Sequence, residues 1–238
     1  MAALLRRHEN RIIMNKKTYL SLLTAAFISA GFICACASSS GIGKNKSERS
    51  AVSSKQDDLT PQERAQLAFY VYADFKSPLN HYYPSGWMGD SRDLIFNQQH
   101  DKDAYAGKHC IRVQYTPIGS NKWAGIYWQQ PANNWGDKPG GYDLSKATHI
   151  TFWMKGEKGG EVISEVKAGG LKECAFPDSD EAVIKKAVLT DEWKLYWINL
   201  EKKNMSYIAG GFAFAVNKDD NPNGCTFYID EIRYEMNK

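Results

Sequence analysis

From about residue 68 onward, apolar and polar residues alternate at period two in short runs, with clusters of Gly, Pro, Asn and Asp between them. The pattern predicts strands over 69–75, 108–116, 124–130, 148–155, 161–167, 184–189, 194–200, 211–216 and 225–234. Turn chemistry separates them at 117–121, 137–141, 156–160 and 219–224. No long segment follows the 3.6-residue period, and the one helical signal is residues 61–67, with Thr60 as N-cap and Pro61 at the first helical position. Many strands without crossover helices require antiparallel sheets, hence an all-β sandwich or barrel.

Alternation also assigns faces. Ala124, Ile126 and Trp128 share one side of their strand and read as core, which turns Trp123, Gly125, Tyr127 and Gln129 to a partly exposed aromatic side. Ile150, Phe152 and Met154 read as buried, with Thr151, Trp153 and Lys155 opposite. Trp193, Leu195 and Trp197 alternate with Lys194, Tyr196 and Ile198; both sets are apolar enough to predict a strand covered on both faces, with Trp193, like Trp128, in the core.

The first 35 residues have another logic. Residues 19–33 are apolar apart from Ser and Thr and follow the basic Lys16 and Lys17, the n-region and h-region of a bacterial secretory signal. The run is shorter than the ~20 residues a membrane span needs. It ends in Ile33-Cys34-Ala35-Cys36, which resembles the lipobox of bacterial lipoproteins: a branched apolar residue, two small residues, then the Cys that receives lipid. Cys36 fits the lipidated position; Cys34 does not, because bulky Phe32 and Ile33 precede it. The expected organisation is a signal peptide over 1–35 with translation starting at Met14, a lipidated Cys36 with a flexible tether over 36–65, and a folded domain over 66–238. By resemblance to enterobacterial lipoprotein sorting, Ala37 and Ser38, with no Asp, favour the outer membrane or cell surface of a bacterial envelope over the inner membrane.

Charge follows the same division. Five Lys and Arg against Glu9 alone give a surplus of four before residue 36, so the formal +3 of the 238-residue chain becomes −1 beyond it. That removes the electrostatic case for nucleic-acid binding. Cys110, Cys174 and Cys225 remain, an odd number without zinc-ligand spacing; one disulfide or none is open.

Four segments resemble the galactose-binding-like carbohydrate-binding modules, similar to those of the family 11 type. They are the Gly107-Lys108 turn with the strand after it, Asp143 to Gly156, Leu189 to Lys194, and Thr226 to Ile232. The resemblance spans most of residues 68–235. It implies a jelly-roll of two antiparallel sheets that binds polysaccharide or oligosaccharide without catalysis; here no catalytic domain is attached. It also implies a structural Ca²⁺ held by Asp74, Asp103, the Lys108 backbone and Asp230, hard oxygen donors of the kind calcium takes. Asp230 shares the alternation of Tyr228 and Ile232, which predicts a carboxylate facing the sheet interior.

Sugar rings present apolar C–H faces rimmed by hydroxyls, so a binding site needs flat aromatic platforms beside amides and carboxylates. Trp87 and Asp90 in one segment, and Trp123, Tyr127, Gln129, Asn134 and Trp135 in another, supply that set. Two alternatives stand beside a glycan-binding lipoprotein. One is a jelly-roll glycoside hydrolase or other polysaccharide-active enzyme, for which Glu161 and Glu165 are the one same-face carboxylate pair. The other is an envelope protein whose aromatic cluster binds a protein partner. No nucleophile elbow or metal-pair histidine spacing is present in the sequence.

Overall fold

The structure, a computed structural model, describes residues 68–237. Eleven strands form two antiparallel sheets packed face to face: β1 (Ala68–Tyr72), β2 (Tyr83–Gly89), β3 (Leu94–His100), β4 (Cys110–Tyr115), β5 (Trp123–Gln129), β6 (Ala147–Gly156), β7 (Val162–Gly169), β8 (Glu181–Val188), β9 (Lys194–Asn199), β10 (Gly210–Asn217) and β11 (Cys225–Met236). One sheet runs β3-β4-β11-β6-β9 with β1 also on β11; the other runs β2-β5-β10-β7-β8. The architecture is the all-β jelly-roll sandwich expected. The first sheet is called here the β11 sheet and the second the β10 sheet, after their central strands.

The core lies between the sheets and is built by the inward half of each alternation. Ile126 and Trp128 on β5, Phe212 and Phe214 on β10, Phe152 on β6, and Phe227 and Ile229 on β11 are all 0–1% exposed. Phe212 meets Trp128 at 5.4 Å and Phe152 at 5.3 Å, and Phe214 meets Phe227 at 5.3 Å, so aromatic contacts cross from sheet to sheet. Each such pair contributes about 0.5–1.5 kcal/mol beyond area burial.

β11 organises its sheet. Along one edge it pairs with β4 through residues 225–229 and with β1 through residues 232–235, while β6 runs along the other edge. Ala68 on β1 is the register partner of Glu235 near the end of β11. The register shifts between Asp230 and Arg233, where Glu231 adopts a left-handed φ of 49°. This bulge switches the inward parity from odd, at Phe227 and Ile229, to even, at Ile232 and Tyr234. Asp230 therefore keeps the parity of Tyr228 but not of Ile232, and it faces outward opposite Trp153 rather than into the sheet interior.

Other expectations are corrected. β2 and β3 were absent from the alternation reading; both are edge strands, where Pro84, Gly86 and polar residues such as Asn97 and Gln98 are tolerated. β9 is also an edge strand and is covered on one face only: Ile198 is buried, while Leu195 and Trp197 are 46% and 48% exposed. Trp193 is not core; its indole Nε1 donates to the Asp103 carbonyl at 3.0 Å on the outer side. Cys110, Cys174 and Cys225 are all free thiols. The residue 61–67 helix and Cys36 lie outside the described residues.

Candidate functional site

The outward face of the β10 sheet brings together part of the expected aromatic set. β5 presents Gly125, Tyr127 and Gln129 there, and its neighbours present Gly86 and Met88 from β2, Ala213 and Ala215 from β10, and Glu165 and Lys167 from β7. The floor consists of small residues by necessity: a Cβ on Gly86 would lie 2.7 Å from the Tyr127 Cβ, and one on Gly125 would meet the Phe214 carbonyl. Lys167 and Met88 were missed, and Glu165 was picked out only as half of a carboxylate pair, because register between strands, not alternation within one, puts them beside Tyr127.

Two loops fold back over this face. In the loop after β5, Trp135 sets its edge against Tyr127 with ring centroids 6.1 Å apart and stays 41% exposed. Asn134, fully buried, holds that loop: its amide donates to the Gln130 carbonyl at 3.5 Å and the Lys138 carbonyl at 3.0 Å, and its oxygen accepts from the Gly136 N–H at 3.0 Å. In the loop after β7, Asp178 accepts from the N–H groups of Leu171, Ala209 and Gly210, tying the loop to the start of β10. Desolvation raises the Asp178 pKa despite those three donors.

Beneath Trp135, the Tyr127 hydroxyl donates to the Gly169 carbonyl, and burial pushes its pKa well above the ordinary phenol value. The Lys167 ammonium stands over the Tyr127 ring, 5.2 Å from its centroid, with Glu165 3.8 Å away. Gln129 is fully buried; its oxygen accepts from the Ser85 hydroxyl at 3.0 Å, and Ser85 in turn accepts from the Asn133 N–H at 2.8 Å. Its Nε2 has no hydrogen-bond partner. Trp123, 37% exposed, shares the face but stands about 13 Å along β5 from Tyr127.

The remaining expected ligand residues sit elsewhere. Trp87 pairs with Ile126 on the core side of β2, and its ring meets Phe96 of β3 edge-on at 5.9 Å, covering the open side of the sandwich. Asp90 accepts from the Asn121 amide at 2.7 Å and the Lys122 N–H at 2.9 Å, bracing a turn.

The calcium residues were tested by their donors. Asp74 and Asp230 do meet the 105–108 turn, but the turn offers them N–H groups, not carbonyls. Asp74 accepts from the N–H of Lys108 at 2.9 Å and of Phe75 at 2.6 Å, and His109 Nδ1 lies 2.9 Å away. Asp230 accepts from Tyr105 at 2.9 Å, Ala106 at 3.1 Å and Glu231 at 2.8 Å. Asp103 pairs with Lys155. Hydrogen donors thus occupy the positions a cation would need, and among the described residues no three His, Cys, Asp or Glu side chains gather as a metal site. The arrangement does not fit Ca²⁺.

The carboxylate pair is likewise separated. Glu161 precedes β7 and accepts from the Lys158 N–H at 2.8 Å, whereas Glu165 neighbours Lys167 on the outer face. Four residues of strand span about 13 Å, beyond the ~5–9.5 Å that glycosidases use.

No family model matches the chain, and no curated protein does. Solved structures to which it is similar include carbohydrate-binding modules. A family 30 module gives a TM-score of 0.47 at 14% identity, covering 72% of this chain and 89% of that one. A family 11 module of a cellulosomal cellulase of Clostridium thermocellum gives 0.45 at 17%, covering 69% and 92%. A family 29 module variant gives 0.42 at 13%, covering 69% and 89%. The architecture described above rests on this chain's own strand register.

Proposed function

We propose that the protein is a non-catalytic glycan-binding lipoprotein whose binding face is the outer side of the β10 sheet around Trp135. The carrying observation is Trp135, a half-exposed indole braced on Tyr127 above a floor of Gly and Ala, with Lys167 and Glu165 alongside. An apolar platform stacks on the C–H face of a sugar ring, and flanking ammonium and carboxylate groups exchange hydrogen bonds with its hydroxyls. Gln129 supports the face from below by fixing Ser85 and the 133–135 loop. In this reading Asp74 and Asp230 are clips that hold the 105–108 turn, and Cys36 carries the lipid that keeps the domain at the bacterial envelope.

A glycan-array screen followed by calorimetry tests the reading. Trp135→Ala weakens binding by about 1–3 kcal/mol, on the scale of aromatic stacking against nucleic-acid bases. Lys167→Ala weakens it as well, and Trp87→Ala does not, because Trp87 belongs to the other side of its sheet. Glycan binding unaffected by Trp135→Ala moves the site elsewhere. Absence of any glycan ligand overturns the proposal.

A further inference from the structure

Toward the end of the sandwich where β5 begins, the opposite end of that strand from Gln129, the surface holds a cleft of about 360 Å³. Small-molecule sites span about 300–1,000 Å³. It opens between the β6–β7 connection, residues 157–161, and the β10–β11 connection, residues 220–224, with the end of β4 as a further wall. Three buried side-chain polar atoms among the described residues lack a hydrogen-bond partner: Tyr115 Oη, Gln129 Nε2 and Glu161 Oε2. Two of these three belong to residues lining this one cleft.

Glu161 is held there by design of the backbone. Its Oε1 accepts from the Lys158 N–H at 2.8 Å, and its other oxygen lies where any side chain at Gly156 would have to go. Tyr115, 1% exposed, stands opposite Cys225 in the β4–β11 register. Of the neighbouring charges, Glu157 lies 3.8 Å from Arg112, and Asp220 engages Lys186 at 3.0 Å, Ser164 at 3.0 Å and the Asn217 amide at 2.9 Å, while the exposed Lys158 ammonium on the rim forms no ion pair among the described residues. What remains is an oxygen that only accepts, a phenol that both donates and accepts, the Lys158 ammonium as a donor on the rim, and walls carrying the uncharged Gln114, Thr116, Thr226 and Asn223.

That set argues against the other ligand classes. A calcium ion takes six to eight oxygens, usually with several carboxylates, and Glu161 brings one oxygen. Covalent chemistry at Cys225 is disfavoured, since burial first and Glu161 second push its thiol up to about 12. A hydroxyl satisfies either atom, since it can donate to Glu161 or accept from Tyr115.

We propose that this cleft is a second binding site, for a polyhydroxylated ligand the size of one sugar ring, whose hydroxyls pair with Glu161 and Tyr115. Both atoms are buried within residues that line the cleft, and the neighbouring Gly159 and Gly160, with φ of 82° and 91°, are the segment that yields to admit a hydroxyl. Around Gly160 even an added Cβ would find open space. The inference stands on these residues alone and not on the β10-sheet face.

The test uses the full chain carrying Trp135→Ala, so that the sheet face is disabled throughout. Saturation-transfer NMR titrations with glucose, galactose, mannose, N-acetylglucosamine and myo-inositol yield at least one saturable ligand. Its affinity falls fivefold or more in Glu161→Gln and in Tyr115→Phe. Tyr115→Phe melts no lower than its parent, because it removes a hydroxyl that was buried unpaired. The proposal is overturned if no compound in the panel binds saturably, if both variants bind as the parent does, or if Glu161 proves to hold added calcium chloride instead. Any of these results leaves the Trp135 reading untouched.

Discussion

Burial pushes the Asp230 carboxyl up to about 7, from an ordinary aspartate value near 3.9, against the pull of three backbone N–H donors. The folded protein therefore keeps a proton there that the unfolded chain has released, so this group makes stability fall as pH rises from about 4 to about 7. A carbon-detected NMR titration finds its midpoint near 7, and Asp230→Asn, destabilising at every pH, flattens the decline in urea midpoints across that window. A chelator leaves the melting temperature unchanged; a clear drop would mean the clip is a metal site after all. The tryptophans divide by the same question of surroundings. Trp128→Ala costs about 3–5 kcal/mol in chemical denaturation, as for any fully buried large aromatic, whereas Trp135→Ala costs less than about 1 kcal/mol. Alternation identified Trp128 as core correctly. It could not reveal that Tyr127 and Gln129, on the opposite face, are buried too, because the cover comes from loops 131–141 and 170–178, distant information that no local pattern contains.

Among the strands, every one paired on both sides was legible, namely β4, β5, β6, β7, β10 and β11, and so were β1, β8 and β9; the two overlooked, β2 and β3, are both edges. Edges are looser. β2 keeps its place with Pro84 and Gly86, and β9 tolerates exposed Leu195 and Trp197, so the first was overlooked and the second assigned too much cover. The bulge at Glu231 was invisible for a different reason, since an extra residue leaves no mark in a sequence of alternating apolar positions until the parity on both sides is known. It is also decisive. Deleting Glu231 turns Ile232 and Tyr234, both fully buried, toward solvent or forces Phe227 and Ile229 out instead. The deletion variant accordingly loses its cooperative thermal transition, while Glu231→Ala, which preserves the count, keeps it. A cooperative melt in the deletion variant would mean that β11 can re-register against β4 and β6.

For the molecule as a whole, the jelly-roll was legible from the order of strand-like segments, and the proposed binding face only in part: Trp123, Tyr127, Gln129 and Trp135 share it, whereas Trp87 and Asp90 serve the sandwich's open side and a turn. Contacts between sheets and register between strands decide such placements, and neither is encoded locally. The anchoring proposal is tested at this scale by fractionating cells: Cys36→Ala shifts the protein from membrane to soluble fractions and abolishes acyl labelling, and Cys34→Ala does neither. One further consequence follows from the pairing of Ala68 with Glu235. Register partners in an antiparallel pair bring their Cα atoms to about 4.5–5.5 Å, so the first and last strands of the sandwich place their outer ends side by side. A circular permutant that joins residue 236 to residue 68 through a few glycines, and opens the chain between the exposed Lys202 and Lys203, has every strand pair still available to it and folds to the same sandwich. By the same geometry the domain can be spliced into a surface loop of another protein without prising that loop apart.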